Sequence, residues 1–392
     1  MPVTPAPSDL AEQPHPFPVQ PLPGWRRAVI KVGSSLLTDG RGNLGQHNAA
    51  ALADLISTFR AQGREVLLVS SGAVAAGRGL MARRKSGLVQ RQALASLGQT
   101  PMLALWQGLV DQPVAQVLLS HDDMRNRRRY LNAQATLQEL LRSGALPIVN
   151  ENDTVAIDEL KLGDNDNLAA AVATLVDADV LFIATDTDGL YTGHPVRDPA
   201  ARPLPRVEAI TPEIMRMTAG GAGALGTGGM ATKLEAASKA AAAGIDTALF
   251  CGRDPRALQA LAADRLHGTL IPAHGPRLLA RKLWLRHQPA CRGRLRIDAG
   301  ACRALSERGA SLLPGGVIGV EGDFSSRAVV DLVGDNGQRI GRGLVQYHAS
   351  DVQRIAGRHS QEIEDVLGFH NGRAVVRRDD LVLLDPGAAH AH

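Results

Sequence analysis

Short apolar runs alternate with segments of helical spacing from residue 28 onward, and this alternation predicts the fold of the first two thirds of the chain. The runs predict strands at 28–32, 65–69, 115–119, 146–149, 180–184 and 247–250. The helical spacing predicts helices at 48–60, 90–110, 128–143, 167–175 and 231–243. Pro101 should break or restart the second helix, and Gly244 should end the last one. The pattern favours an α/β fold with a mostly parallel sheet sandwiched by helices.

The pattern changes around residues 273–289, where proline, arginine and histidine cluster. Short apolar runs then recur at 295–297, 316–320, 328–333, 343–347 and 374–376, separated by Gly or Asp-Asn-Gly turns. This spacing predicts a small β-rich domain. The predicted organisation is a disordered Pro-rich extension (1–24), an α/β domain (25–275), a linker (276–290), the β-rich domain (291–385) and a tail (386–392).

Composition narrows the class of protein. The extension has eight prolines but no apolar core of a signal peptide, and no run reaches the ~20 apolar residues of a membrane span. Three cysteines without CxxC spacing indicate neither a disulfide framework nor a zinc site, which favours a cytoplasmic protein. The net charge of +4 does not point to nucleic acid, because residues 292–385 carry 13 basic and 13 acidic side chains.

The glycine-rich stretch 224–233 is the strongest chemical signal, because it leads straight into a predicted helix. Backbone N–H groups, a hydroxyl and Lys233 at a helix N-terminus are suited to phosphate. The stretch is not a Walker A loop, since Thr232 stands where glycine should precede the lysine. It is not a dinucleotide fingerprint either, because no strand precedes it. The alternative is a flexible surface loop.

Four more polar turns follow predicted strands or precede predicted helices: Lys31-Val-Gly-Ser-Ser, Val69-Ser-Ser-Gly, and the acidic turns Asn150-Glu-Asn-Asp and Gly163-Asp-Asn-Asp-Asn. Ligands of parallel sheets bind at the carboxyl ends of strands, where Gly33, Ser70, Asn150 and Thr185 should lie. Each turn also has a structural interpretation as a capped turn; Asp166 could simply cap the next helix. No hydrolase elbow or EF-hand fits, and the histidines show no metal-ligand spacing.

Seven segments in this order resemble the amino acid kinase family, and within it the enzymes that phosphorylate glutamate: VIKVGSSLLT, VSSGAVAAG, the region of Tyr130-Leu-Asn-Ala, IVNENDTVA, LGDNDNLAA, TDTDGLYTGHP and GTGGMATKL. The resemblance runs from Val29 to about Leu383. The C-terminal part resembles a PUA domain through Ser311-Leu-Leu-Pro, Ile355-Ala-Gly and His359-Ser-Gln-Glu-Ile.

The resemblance implies a role for each matched residue. Lys31, Lys233 and Asp166 are the implied catalytic residues, with Asp166 orienting both lysines, which hold the β/γ phosphates. The implied glutamate-binding residues are Ser71, Asp153 and Asn165. The implied ATP-binding residues are Lys31, Thr185, Asp186, Thr227, Gly228, Gly229, Met230, Ala231, Thr232 and Lys233. No residue is assigned as a metal ligand.

The activity implied is ATP-dependent phosphorylation of the γ-carboxylate of L-glutamate, the first step toward proline, with Mg²⁺ accompanying ATP. The resemblance further implies a homo-oligomer, either dimer or tetramer, and feedback inhibition by proline. Two alternatives stay open: a family member acting on aspartate or carbamate, and an RNA-binding protein acting through the PUA-like domain. A neutral charge balance and few aromatic residues in that domain argue against the RNA alternative.

Overall fold

The computed structural model describes residues 14–39, 44–80, 87–155, 165–217, 229–275, 285, 293–369 and 371–384. The chain divides into two compact units, Met1–His274 and Gly275–His392. No helix among the described residues is long and apolar enough to cross a membrane. The predicted linker, apart from Leu285, and the tail from residue 386 lie outside the described residues.

The first unit alternates strands and helices along the chain. Its strands are β1 (Val19–Pro21), β2 (Arg27–Val32), β3 (Glu65–Ser70), β4 (Val114–Leu119), β5 (Leu146–Glu151), β6 (Val180–Thr185), β7 (Asp246–Cys251), β8 (Arg265–His267) and β9 (Thr269–Ile271). Its helices are α1 (Ser34–Leu37), α2 (His47–Ala61), α3 (Ala73–Arg78), α4 (Leu88–Gln107), α5 (His121–Arg125), α6 (Arg127–Arg142), α7 (Asn165–Leu175), α8 (Pro212–Met217), α9 (Met230–Ala242) and α10 (Pro255–Ala262).

Seven of these strands form one sheet in the order β4-β5-β3-β2-β6-β7-β9. All neighbours are parallel except β9, which is antiparallel to β7. Apolar cores cover both faces: Ala28, Ile30 and Val32 of β2 join the core that contains α2, and Val29 joins the core that contains α7 and α9. Because side chains alternate along a strand, Lys31 lies on the same face as Val29. The predicted α/β sandwich is confirmed.

Pro101 does not break α4, so the predicted interruption is wrong. A proline inside a helix removes one backbone hydrogen bond, but packing against α3 compensates for that loss. The two helices touch so closely that a Cβ built on Gly98 would lie 1.7 Å from the Ala73 carbonyl oxygen. Likewise, a Cβ on Gly77 would lie 2.0 Å from the Leu94 carbonyl oxygen. Tertiary contact therefore overrides the local preference of proline.

The end of the predicted disordered extension is folded, so that prediction is wrong for residues 14–24. Strand β1 pairs antiparallel with β8, from Val19 opposite His267 to Pro21 opposite Arg265. Phe17 is fully buried, and its ring meets that of Tyr191 edge-on at 5.1 Å between centroids. A pocket for one aromatic ring is enough to order a short proline-rich segment. Residues 1–13 of the extension lie outside the described residues.

Truncating Phe17 is expected to destabilise the first unit. Removing a fully buried ring lowers the free energy of unfolding by about 3 kcal/mol, because the lost apolar contact is added to the cost of a cavity. Chemical denaturation followed by tryptophan fluorescence measures this for Phe17→Ala. Val19→Ala is the control, since Val19 in the same segment is 38% exposed and should change stability by less than about 0.5 kcal/mol. Equal stability of the two variants would contradict the role given to Phe17.

The second unit contains a five-stranded sheet of order β11-β10-β12-β13-β14. Its strands are β10 (Gly293–Ile297), β11 (Val317–Glu321), β12 (Val329–Gly334), β13 (Arg339–Val345) and β14 (Val376–Leu383). The predicted β-rich domain is confirmed. Sequence patterning missed three helices, α11 (Ala299–Arg308), α12 (Ala349–Ile355) and α13 (Ile363–Leu367). A buried ion pair joins the neighbouring strands β12 and β13, with Arg342 Nε 2.8 Å from Asp331 Oδ1.

Candidate active site

A buried carboxylate contacts two lysines at the carboxyl edge of the large sheet. Asp166 is fully buried, and its Oδ1 lies 2.6 Å from Lys31 Nζ. Its Oδ2 lies 3.0 Å from Lys233 Nζ and accepts a hydrogen bond of 3.0 Å from the Thr232 hydroxyl. Three residues separated by up to 202 positions in sequence thus meet at one point. We call Lys31, Asp166 and Lys233 the lysine clamp.

Each member of the clamp is positioned by a regular element. Lys31 is the penultimate residue of β2, on the face that packs against α7 and α9. Asp166 is the second residue of α7, which begins at Asn165. It therefore lies within the first turn and is directed at the lysines, so the interpretation of Asp166 as a simple helix cap is wrong. Lys233 is the fourth residue of α9.

The electrostatics of the clamp keep Asp166 ionised. Burial by itself raises the pKa of this carboxyl group, but the charges of Lys31 and Lys233, and their hydrogen bonds to it, outweigh burial and lower the pKa overall. The site therefore holds two ammonium groups against one carboxylate. Among the described residues of the clamp, the two ammonium groups outnumber the carboxylate in a place with little access to water, which favours the binding of an anion.

The N-terminus of α9 adds backbone donors next to Lys233. Gly229 is the N-cap and offers no side-chain cap, and the first turn carries no acidic residue. The first N–H groups of a helix have no partner within the helix, and they carry a partial positive charge. Met230 and Ala231 belong to this turn, whereas Thr227 and Gly228 lie outside the described residues. The described part of the glycine-rich stretch thus has the geometry of a phosphate-binding helix start.

A second polar cluster begins one residue before Asp166. Asn165 Nδ2 donates hydrogen bonds to the Ser71 hydroxyl at 2.8 Å and to Asn150 Oδ1 at 3.0 Å. The Ser71 amide donates to the Val32 carbonyl at 3.0 Å, so this cluster and the lysine clamp share the ends of neighbouring strands β2 and β3. We call Ser71, Asn150 and Asn165 the amide cluster. Its hydroxyl and amide groups are suited to a small polar ligand.

The other sequence-predicted residues lie at the same edge of the sheet or in loops that follow it. Thr185 ends β6, and its hydroxyl donates to Asp186 Oδ1 at 3.3 Å. Asp153 is half-buried in the turn after β5. The structure therefore places Lys31, Asp166, Thr232 and Lys233 in one group and Ser71 with Asn165 in the adjoining one.

Two residues of the site carry contacts that motif reading did not assign. Asn150 accepts from Asn165 and also from the Glu151 amide, at 2.9 Å, which fixes its orientation. Trp106 is fully buried, and its indole Nε1 donates to the Ser70 hydroxyl at 3.0 Å, beneath the amide cluster. The scarcity of aromatic residues, 3% of the chain, is the only sequence signal that singles out Trp106.

Two buried lysines on one carboxylate lie beside a helix N-terminus at the carboxyl edge of a parallel sheet, an arrangement whose positive charge is suited to phosphoryl groups. The sequence model of the amino acid kinase family matches residues 26–251, and that of the PUA domain matches residues 293–367. These regions hold the large sheet and the five-stranded sheet respectively.

The chain is similar over most of its length to curated bacterial proteins. It is 59% identical over 362 residues to the glutamate 5-kinase of Xanthomonas oryzae pv. oryzae (strain KACC10331 / KXO85), covering 91% of this chain and 100% of the relative. It is 56% identical over 375 residues to the glutamate 5-kinase of Xylella fastidiosa (strain 9a5c), covering 94% and 98%. Among solved structures, UMP kinase from Bacillus anthracis is 17% identical with a TM-score of 0.44, covering 64% of this chain and 97% of that one. The protein belongs to the amino acid kinase family and carries a C-terminal PUA domain.

Proposed function

We propose that the protein transfers the γ-phosphoryl group of ATP to the γ-carboxylate of L-glutamate and forms γ-glutamyl phosphate, the first intermediate toward proline. The observation that carries the proposal is the lysine clamp, in which Lys31 and Lys233 meet on buried Asp166. The relatives named glutamate 5-kinase, 56–59% identical to the chain, support the same substrate.

The chemistry needs charge neutralisation rather than a base. A γ-carboxylate with a free pKa of about 4.3 is ionised at neutral pH, so it attacks the γ-phosphorus without losing a proton. The difficulty is that two anions must approach each other. In our proposal Lys31 and Lys233 hold the β- and γ-phosphates and offset the charge that develops on the transferred group. Asp166 keeps the two ammonium groups from separating, which pre-positions both donors.

The start of α9 completes the phosphate site in this proposal. The N–H groups of its first turn, from Met230 to Thr232, would face the anionic oxygens of the phosphates without any change in protonation. Thr185 and Asp186 at the end of β6 are proposed to bind the nucleoside part of ATP. Thr227 and Gly228 are proposed to complete the phosphate loop.

Mg²⁺ is proposed to enter with ATP, held mainly by the phosphates, as is common for this ion. Asp166 does not fit as its protein ligand, because both of its oxygens are within 3.0 Å of a lysine ammonium group. The ion, when bound, would spread the negative charge of the phosphate chain. The reaction steps assigned above to the side chains do not depend on where it lies.

The amide cluster is proposed to bind glutamate next to the phosphates. Asn165 and Asp166 are consecutive, so the amide cluster and the lysine clamp are one residue apart on α7. Ser71 would donate its hydroxyl hydrogen to a substrate carboxylate, and Asn165 would exchange one of its present hydrogen bonds, to Ser71 or Asn150, for one to the substrate. The Asp153 carboxylate would accept from the α-ammonium group. With its α-ammonium group at Asp153, the bound glutamate would direct its γ-carboxylate toward the lysine clamp.

Trapping the acyl phosphate with hydroxylamine tests the proposal directly. With ATP and Mg²⁺ present, hydroxamate should form with L-glutamate and stay at background with L-aspartate or with no amino acid. Hydroxamate with aspartate instead, or ADP release with carbamate, would keep the kinase fold and replace the substrate. No phosphoryl transfer to any of these acceptors, together with salt-dependent RNA binding, would favour the RNA-binding alternative.

Replacing Asp153 with alanine is expected to raise the KM for glutamate about 10- to 100-fold, because a hydrogen bond between charged groups is worth roughly 1.5–3 kcal/mol. The KM for ATP should change by less than about twofold, because Asp153 is not proposed to contact ATP. Steady-state kinetics with each substrate varied in turn measures both values. Asp122→Ala, which removes an exposed carboxylate from α5, is the control. Equal rises in both KM values would contradict a direct contact with glutamate.

Further properties are proposed on the family resemblance. They are a homo-oligomeric state, a dimer or a tetramer, and feedback inhibition by proline. A cytoplasmic location is proposed as well, and it agrees with the free thiols of Cys251 and Cys302.

A further inference from the structure

A histidine and two aspartates meet at the end of strands β6 and β7, outside the proposed catalytic groups. One possible ligand atom of each of His15, Asp188 and Asp254 lies within 4.8 Å of the others. Asp188 comes three residues after the end of β6, and Asp254 three residues after the end of β7. His15 is brought there by the N-terminal segment that β1 and Phe17 anchor. We call the three residues the His15 cluster.

The His15 ring is buried, and one of its nitrogens has no hydrogen-bond partner. The side chain is 4% exposed. Nε2 is fully enclosed without a hydrogen bond and lies 3.4 Å from Asp254 Oδ2. A buried polar atom without a partner is costly, and most such atoms in folded proteins are satisfied by water or an ion. This atom is directed at a carboxylate, so the missing partner is a cation or a proton.

The other ring nitrogen is held by the backbone. His15 Nδ1 lies 3.0 Å from both the carbonyl oxygen and the amide nitrogen of Phe17. In the tautomer in which Nδ1–H donates to the carbonyl oxygen, which also lies 2.9 Å from His267 Nδ1, Nε2 has a lone pair for a metal ion. In the other tautomer Nδ1 accepts from the Phe17 amide and Nε2 carries the proton, so metal binding would select the first. A backbone carbonyl that fixes the tautomer in this way is the usual support of a metal-binding histidine.

Burial and a neighbouring histidine ring lower the pKa of His15. Burial, the largest cause, lowers the pKa of His15, and nearby His267, whose ring centroid is 4.3 Å away, lowers it further. Asp188 and Asp254 act in the opposite direction without reversing the result.

The charge balance around the cluster is compatible with a bound divalent cation. Arg256 contacts both oxygens of Asp254: its backbone amide donates to Oδ1 at 2.8 Å, its Nε donates to Oδ1 at 3.2 Å, and its Nη2 donates to Oδ2 at 2.9 Å. Unlike Asp166, which two lysines contact, Asp254 is offset by this single cation among the described residues, and its Oδ2 can accept a further contact. The Tyr191 hydroxyl donates to Asp188 Oδ2 at 3.2 Å. One net negative charge and an imidazole lone pair remain directed inward, since each carboxylate oxygen can accept more than one contact.

We propose that His15 Nε2 and the carboxylates of Asp188 and Asp254 bind a divalent transition-metal ion, with water filling the remaining positions. The separation of 3.4 Å between His15 and Asp254 suits two ligands of a tetrahedral ion with bonds of about 2.1 Å. Asp188 has a carboxylate oxygen within 4.8 Å of both other ligand atoms, and rotation of its side chain would bring in the third ligand. An imidazole with two carboxylates favours Zn²⁺ over Mg²⁺, which prefers oxygen ligands alone. The ion would tie the N-terminal segment to the loop after Asp186.

Isothermal titration of the full-length, untagged and chelator-treated protein with ZnCl₂, without nucleotide, tests the site. We expect one tight equivalent in the wild type. Its affinity should fall by at least about tenfold in both His15→Gln and Asp188→Asn. Zn²⁺ should also raise the Tm of the wild type and not that of either variant. His359→Gln, which removes an exposed histidine from the second unit, is the matched control and should bind as the wild type does.

His15→Gln alone could lower the affinity for zinc by loosening the N-terminal segment. Asp188→Asn tests the same site without changing any side chain of that segment. Zinc binding that is unchanged in both variants would mean adventitious binding to surface histidines and would overturn the proposal. Absence of a tight equivalent in the wild type would also overturn it and would leave a proton as the partner of Nε2. The readout is binding, so the result does not depend on the kinase activity proposed above.

Discussion

Lys233→Ala is expected to lower kcat by about 10²–10³-fold, the usual cost of removing one preorganised donor from a developing charge. The reason is the position of Nζ, 3.0 Å from Asp166 Oδ2 and on the first turns of a helix whose N-terminus faces the same space. The carboxylate keeps Lys31 as a partner at 2.6 Å. The variant therefore loses its second ammonium group without leaving Asp166 unpaired, and it should stay folded.

Steady-state turnover, with thermal unfolding as the check on folding, measures this effect. Lys239→Ala is the matched control, because Lys239 is on the same helix but 55% of its side chain is exposed. Its ion pair with Glu235 is a surface pair, worth at most about 1 kcal/mol. Its Nζ also donates to Asn167 Oδ1 on α7 at 2.8 Å, but neither contact involves Lys31, Asp166 or Lys233, so turnover should stay within about twofold of the wild type. A Lys233→Ala enzyme with wild-type kcat would remove this lysine from the mechanism and leave Lys31 as the remaining lysine of the clamp.

The sequence predicts the sheet and much of the site because both depend on local patterns. Apolar runs mark β2, β3, β5 and β6, and parallel strands bring their carboxyl ends together whatever the helices between them do. The polar turns that follow those strands were therefore predictable as neighbours. The side-chain alternation that places Lys31 on the face of α7 and α9 follows from the same rule.

What local patterns cannot supply is the pairing between distant segments. Asp166 reads equally well as a helix cap or as a partner of lysines, and only the packing of α7 against α9 and β2 decides between them. Likewise, α4 continues through Pro101 because Gly98 lets α3 pack closely against it. Both outcomes depend on contacts that no short window of sequence contains.

The N-terminal segment is the clearest case in which sequence composition fails to predict the structure. Its composition is typical of a disordered chain, since eight of its first 24 residues are proline. Yet Phe17 occupies a pocket beside Gly189, where an added Cβ would come within 2.8 Å of the ring. A glycine more than 170 positions away thus provides the space that orders the segment. The His15 cluster was hidden for the same reason, since its three members share no sequence spacing.

Asp166→Asn is expected to have a larger effect than Lys233→Ala, because it removes the charge that both lysines share. The amide is nearly isosteric, but it removes the negative charge that both buried ammonium groups contact. Breaking a buried ion pair in this way costs about 3–5 kcal/mol of the free energy of unfolding. Turnover should fall by more than about 10²-fold even where the protein is folded, since the repelling lysines no longer hold the phosphates in one geometry.

The pH dependence of stability distinguishes loss of this charge from a general packing defect. Since Lys31 and Lys233 lower the pKa of Asp166 against the effect of burial, ionised Asp166 stabilises the wild type fully above its unfolded-state pKa of about 3.9. That contribution is lost as the pH falls through the lowered folded-state pKa. The difference in unfolding free energy between wild type and Asp166→Asn should therefore be constant near neutral pH and shrink only in strong acid. Asp54→Asn, at an exposed position of α2, is the control and should match the wild type throughout. A difference that persists unchanged into strong acid would mean that the amide disturbs packing, and that the lysines do not depend on the charge of Asp166.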